Sequence, residues 1–361
     1  MFKISNNLTI LDIEVLTMQN IEIFIDTFKG NHYDYGVHQG ESLKNTPYFK
    51  NRNYEWKKRR PKFELDYNET KAIYNAFSPF IWDELMGLQD SLKITDHEML
   101  LNLAHYRTNP RPSGCSVYVD DTHFIRNYDY HPNTYDGKIN FFEPTDGGIA
   151  SVGPVSRVTG RMDGINAHGL SLGYNFMNRK EPQDGFVCFI IGRFILELCK
   201  DVEDAKHLLR TLPHRGGFTY IIKDGEGNHT IAETSGRRVN FSEQNVCTNH
   251  YLNLEEENRR FLSESKERYN IVDKIENPTK EELLNAFTSK DIGLFVDNYR
   301  SWAGTIHTVY YDSSDLSMDI RVGSGEFNHL SLQDFLDGQN YNKKLVSIID
   351  TDLKFTNVDW D

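Results

Sequence analysis

Polar and apolar residues alternate along Asn20–Lys29 (NIEIFIDTFK), the two-residue period of a strand with one buried face. The polar stretch Tyr33–Lys44 (YDYGVHQGESLK) opens a helix. Over Glu64–Leu92 and Thr95–Tyr106 the period lengthens, placing Ile73, Phe77, Ile81, Leu85 and Leu88 on one helical face. Asp96 is placed to cap the second of these helices. Residues 1–114 therefore read as mostly helical. From Cys115 onward short strands are separated by turns: Ser116–Val119 and Thr122–Ile125 flank Asp120-Asp121, and Arg161–Ile165 and Leu170–Phe176 flank Asn166–Gly169. Thr219–Lys223, His229–Thr234 and Arg238–Phe241 continue the pattern, with a late hairpin at His307–Asp312 and Leu316–Val322. Asp184–Lys200 is nearly apolar all round, as in a helix buried between layers. Val202–Leu212 and Leu254–Val272 also have helical spacing. No repeat, low-complexity tract or linker divides the chain. The pattern predicts an α+β domain whose sheets are covered by helices.

Composition narrows the partners. Lys and Arg number 40 against 53 Asp and Glu, a net charge of −13 over 361 residues. Such a surface repels phosphate backbones and argues against nucleic acid. Lys57-Lys58-Arg59-Arg60 is the one basic cluster, and it reads as a solvated patch. No apolar run is long enough to span a membrane, and the first residues lack a charged-then-apolar leader pattern. The four cysteines, Cys115, Cys188, Cys199 and Cys247, are too few for a disulfide scaffold. The expectation is a soluble protein of a reducing, cytoplasmic compartment, with a homo-oligomer left open.

Cys115 differs from the other three cysteines. Cys188 and Cys199 lie in the apolar helix, and Cys247 between Val246 and Thr248 reads as a core residue. Cys115 follows Ser113-Gly114 and has charged residues grouped nearby. With Asp120-Asp121 as a two-residue loop, Cys115 would face Arg126 across the hairpin, with Asp129 three residues further along. A neighbouring cation favours the thiolate, the nucleophilic form. HExxH, paired CxxC, GxxxxGK[ST] and GxSxG are all absent, and the thirteen histidines show no ligand spacing.

Several separated segments then point one way: Gly114-Cys115, Arg126-Asn127-Tyr128-Asp129, Asp163-Gly164-Ile165-Asn166 with Gly169-Leu170, and Gly173-Tyr174-Asn175-Phe176. Cys247–Tyr251, the Ser265–Arg268 helix, His307–Asp312 and Tyr35–Gly40 follow suit. With these, the sequence resembles the N-terminal-nucleophile cysteine hydrolases of the isopenicillin N acyltransferase family (acyl-CoA:6-aminopenicillanate acyltransferase), related to choloylglycine hydrolase and penicillin V acylase. Ser116 stands where threonine is usual. The long segment before Cys115 resembles the acyltransferase branch, and Arg126 the choloylglycine branch.

The resemblance implies a four-layer αββα sandwich and cleavage between Gly114 and Cys115. Residues 1–114 would be a helix-rich propeptide or small subunit wrapping the core, and residues 115–361 the catalytic domain. It implies Cys115 as nucleophile, with its freed α-amine as base, and Arg126 beside the thiol. Asp129 would hold the amine. Asn175, through its backbone N–H, and Asn249, through its side chain, would bind the oxyanion, and Arg268 would join the carboxylate network. Neither metal nor organic cofactor is implied. The expected reaction is hydrolysis of a linear, non-peptide amide of a small molecule through a Cys115 thioester, or acyl transfer to an amine at the same site. The competing readings are a non-catalytic, uncleaved binding protein and a conventional cysteine protease with a distant histidine. Phe141, Phe142, Tyr174 and Phe176 suit either an apolar acyl pocket or the core.

Overall fold

The computed structural model describes residues 18–108, 113–177, 182–258, 263–301, 303–341 and 344–355. The leader reading of the first residues, and positions 259–262 of the helix expected over Leu254–Val272, lie outside them. Among the described residues the strands form a ten-stranded and a six-stranded sheet.

Alternation along the strands sorts side chains into three apolar layers. Val117, Val119, Phe124, Val309 and Tyr311 of the smaller sheet meet Ile139, Val152, Ile165 and Ile221 of the larger one. The intervening residues of the larger sheet, Leu172, Tyr220 and Ile222, face the opposite way onto helices carrying Tyr74, Ile81, Leu85, Ile190 and Ile195. Tyr118, Ile125 and Tyr310, on the far face of the smaller sheet, pack on Val272, Leu283 and Phe287. Helices, sheet, sheet and helices therefore stack as the four layers expected. Cys115 lies between the sheets.

The segment before Cys115 is part of this stack. Its strand Gln19–Gly30 pairs in parallel with Lys138–Pro144 on one side and antiparallel with Lys344–Ile349 on the other. The predicted helical run Glu64–Leu92 is two helices, Tyr67–Phe77 and Pro79–Leu92, because Ser78 ends one and caps the other ahead of Pro79. Thr95, rather than Asp96, caps the helix Asp96–Leu103, in a reciprocal capping box with Glu98. Helix His32–Leu43 crosses Pro79–Leu92 with backbone against backbone: a Cβ on Gly87 would stand 2.0 Å from the Tyr33 carbonyl oxygen. The apolar helix, Cys188–Leu198, is buried against the larger sheet as its composition predicts.

Candidate active site

Gly114 and Cys115 open the strand Gly114–Val119, which pairs with Phe124–Tyr130 and with Val246–Cys247. The hairpin loop is longer than two residues. Asp120 Oδ1 accepts from the amides of Thr122 and His123, at 2.9 and 2.6 Å, and so closes a four-residue turn. Cys115 therefore lies opposite Tyr128, and Val117 opposite Arg126. The pairing differs from the expected register by two residues. A shift of two keeps every side chain on its face, so Arg126 still reaches the thiol diagonally, with Nη2 3.4 Å from Cys115 Sγ.

Arg126 is fully buried between the sheets. Its Nη1 donates to Asp163 Oδ2 and to the Met162 carbonyl, and its Nη2 to the Tyr174 carbonyl. Gly173 makes room for the side chain, because a Cβ there would stand 2.8 Å from Arg126 Cδ. Asp163 is braced in turn by His307 Nε2 at 2.9 Å and the Tyr311 hydroxyl at 2.5 Å. Burial pushes the Asp163 carboxyl up, but His307, Arg126 and Tyr311 outweigh it and hold the pKa at about 2. Sequence reasoning singled out Arg126 but missed this brace. Asp163 opens its strand while His307 lies inside Gly304–Asp312 on the opposing sheet, and no spacing along the chain marks their contact.

The amide nitrogen of Cys115 donates to Asn249 Oδ1 at 2.8 Å, and Arg268 Nη2 donates to the same oxygen at 2.8 Å. Arg268 Nη1 donates to the Cys115 carbonyl and, at 2.8 Å, to Ser116 Oγ, giving the serine that departs from the family pattern a defined partner. Asn249 is held by its own amide on Ser265 Oγ at 2.7 Å and by Nδ2 on the Phe176 carbonyl at 2.9 Å. The Asn175 side chain donates to the carbonyls of Cys247 and Thr248, at 3.1 and 3.0 Å. It positions the segment carrying Asn249.

Asp129 lies opposite Gly114 and is buried. Its Oδ1 accepts from Thr305 Oγ1 at 2.8 Å, next to a register shift in the strand Gly304–Asp312. Its Oδ2 stands 3.9 Å from Arg268 Nη1 and has no hydrogen-bond partner among the described residues. A Cβ on Gly114 would come within 3.3 Å of Asp129 Cβ and 3.4 Å of Oδ2, so the glycine leaves that carboxylate oxygen open to the Gly114–Cys115 bond. Burial raises the Asp129 pKa more than Arg268 lowers it. Burial likewise raises the Cys115 thiol more than Arg126 lowers it, so in the unbroken chain the cation does not by itself produce a thiolate.

The aromatic residues divide between site and core. Tyr174 borders the site, with its ring 5.3 Å from the Arg126 guanidinium carbon. Phe141 stacks on Tyr341 in the layer between the sheets and Phe142 on Tyr35. A surface groove of about 1080 Å³ opens at the opposite end of the hairpin, past Asp121, and Cys115 does not line it.

Residues 118–326, more than half of the chain, match the family model described as acyl-coenzyme A:6-aminopenicillanic acid acyl-transferase. No curated protein matches the sequence. Among solved structures, penicillin V acylase from Agrobacterium tumefaciens is similar at 13% identity and a TM-score of 0.42, over 60% of this chain and 84% of that one. A mutant of the conjugated bile acid hydrolase from Clostridium perfringens is similar at 13% identity and a TM-score of 0.45, over 66% and 97%. The Caenorhabditis elegans ortholog of N-acylethanolamine-hydrolyzing acid amidase is similar at 12% identity and a TM-score of 0.38, over 55% and 92%.

Proposed function

Because the chain belongs to the acyl-coenzyme A:6-aminopenicillanic acid acyl-transferase family, we propose that it is an autoprocessed cysteine amidohydrolase acting on linear amides of small molecules. One observation carries the reading. The nitrogen and the sulfur of Cys115 are held separately, the nitrogen by Asn249 and the sulfur by Arg126, beside a buried carboxylate oxygen that lacks a hydrogen-bond partner among the described residues.

In processing, the Cys115 thiol adds to the Gly114 carbonyl and its proton passes to the departing nitrogen. The peptide C–N bond breaks and a thioester joins Gly114 to Cys115 Sγ. Water then hydrolyses the thioester, leaving a Gly114 carboxylate, a free thiol and an α-amine on Cys115. The new N–H groups supply what Asp129 Oδ2 lacks in the unbroken chain, while Asn249 Oδ1 keeps its bond. An α-amine titrates near 7.7–8.0, close to the working pH of a general base.

In turnover the same amine takes the thiol proton as Cys115 Sγ adds to the substrate carbonyl. It then returns the proton to the leaving nitrogen, and the acyl group remains on Cys115 as a thioester. The second Nδ2 hydrogen of Asn249 and the backbone N–H of Asn175 would receive the oxyanion. Arg126 lies against the thiol to stabilise its negative charge, with Asp163, His307 and Tyr311 fixing its direction. Water releases the acyl group as an acid; an amine that outcompetes water makes the same site an acyltransferase.

The test is to quench the enzyme in acid during turnover of an N-acyl p-nitroanilide and map its peptides. The acyl mass should sit on Cys115 and be removed by neutral hydroxylamine. Turnover without that adduct, sustained in Cys115→Ala, would overturn the reading.

A further inference from the structure

The strand Gly304–Asp312 runs beside Phe124–Tyr130 with one irregularity, and it falls at Asp129. His307 lies opposite Tyr128, and Thr308 opposite Asn127. If that register continued, Ile306 would stand opposite Asp129. Thr305 stands there instead, with Gly304 opposite Tyr130, so Ile306 is the extra residue of a β-bulge. The bulge exchanges an isoleucine, whose side chain has no donor, for a threonine, which has one.

The backbone around the bulge is held from several sides. The Thr305 amide donates to the Val296 carbonyl at 2.6 Å, and the Tyr299 hydroxyl donates to the Thr305 carbonyl at 2.6 Å. The Gly323 amide donates to the Ile306 carbonyl at 2.8 Å. A Cβ on Gly304 would stand 2.3 Å from the Tyr299 ring, so the glycine lets that ring close over the bulge. Thr305 and Ile306 are both fully buried.

These contacts fix the direction of the Thr305 hydroxyl. The Val296 amide donates to Oγ1 at 2.9 Å, and Oγ1 lies 2.8 Å from Asp129 Oδ1. A hydroxyl has one hydrogen, and the Val296 amide uses only its acceptor capacity, so the hydrogen goes to Asp129. Oδ1 is thereby occupied, and a turn of the carboxylate that would exchange its two oxygens is opposed. Oδ2, without a hydrogen-bond partner among the described residues, is the oxygen left beside Gly114.

We propose that Thr305 is a positioning residue for processing: its hydroxyl, delivered by the bulge, pins Asp129 so that Oδ2 receives the hydrogen gained by the departing Cys115 nitrogen. The proposal rests on the processing reading above. A donor on Oδ1 also favours the charged carboxylate, against the burial that raises its pKa. The other charged or titratable groups acting on or near Asp129 are Arg268, Arg126, His307, Cys115 and Tyr299.

The test follows cleavage of the full chain after cell-free synthesis, by intact mass against time and across pH. Thr305→Val keeps the branched shape and loses the hydroxyl, whereas Thr305→Ser keeps the hydroxyl. The valine chain should cleave about tenfold or more slowly, the loss expected of a hydrogen bond to a charged group. The acid limb of its rate should also move to higher pH, because Asp129 without the donor ionises later. The serine chain should cleave near the wild-type rate with its acid limb unmoved. Wild-type cleavage in the valine chain, equal slowing in the serine chain, or slowing without movement of the acid limb would overturn the proposal. If Thr305→Val shows no folding transition, Thr305→Ala, which also lacks the hydroxyl, takes its place with the same expectations. If the wild-type chain stays whole, the processing reading fails by itself. The Asp129 titration, followed by carbon-13 resonance of labelled aspartate and assigned with Asp129→Asn, then decides whether Thr305 pins the carboxylate. A pKa higher in the valine variant and not in the serine variant supports it, and an unchanged pKa overturns it.

Discussion

Arg126 and Asp163 form an ion pair between two sheets, where an unpaired charge is costly. The Asp163 pKa is held at about 2 against an ordinary 3.8, so its pairing contributes roughly 2 kcal/mol of stability. The sign follows from the depressed value: the contribution is complete above about pH 4 and is lost as pH falls through 2. Asp163→Asn leaves Arg126 buried without a carboxylate, which costs about 3–5 kcal/mol. The expected result is a clear drop in the thermal midpoint together with slowed processing. An unchanged midpoint would mean that Arg126 finds another partner. Motif and hairpin geometry made Cys115, Arg126 and Asp129 legible in the sequence. The brace by His307 and Tyr311 was not, because their contact with Asp163 joins opposing sheets and leaves no local spacing to read.

At the scale of elements, the hairpin carrying the thiol shows why a register error of two residues was harmless. The Asp120 turn lengthened the loop, and parity kept Arg126 on the face of Cys115. The strand Gln19–Gly30 was also legible from its alternation. Its place was not, since pairing with Lys138–Pro144 and Lys344–Ile349 is long-range. Strands Lys138–Pro144 and Ser151–Ser156 escaped notice because they are buried along most of their length and do not alternate. The crossing of His32–Leu43 over Pro79–Leu92 makes its own prediction. Gly87→Ala would push a methyl group against the Tyr33 backbone, and overpacking of this kind costs about 1–3 kcal/mol. The thermal midpoint should fall, and Gly36→Ala, facing the Glu84 carbonyl at 2.1 Å, should act likewise. Midpoints equal to wild type would show that the helices can part at no cost.

Across the whole molecule, residues before and after Cys115 share one core. Arg193 Nη2 donates to Glu84 Oε2 at 2.7 Å, Gln39 Nε2 to Glu84 Oε1 at 2.7 Å, and His32 lies between Asp146 and Glu197 at 2.7 and 3.2 Å. Burial works against the His32 charge, but Glu197 outweighs it and raises the pKa. The stabilisation from a protonated His32 is therefore complete below about pH 6.5 and fades as pH rises through the raised value. After processing, the two chains should elute together in native gel filtration and separate only in denaturant, at lower denaturant concentrations in mildly alkaline buffer. Free elution of the first chain at neutral pH would contradict this account of a shared core.

The most direct test of the central claim is the intact mass of purified protein under denaturing conditions, beside a Cys115→Ala control. The account predicts two chains from the wild type, one ending at Gly114 and one beginning at Cys115, with masses summing to that of the whole chain plus one water. The control should give a single chain. A single unbroken wild-type chain that nevertheless hydrolyses amides would contradict a mechanism built on the Cys115 amine.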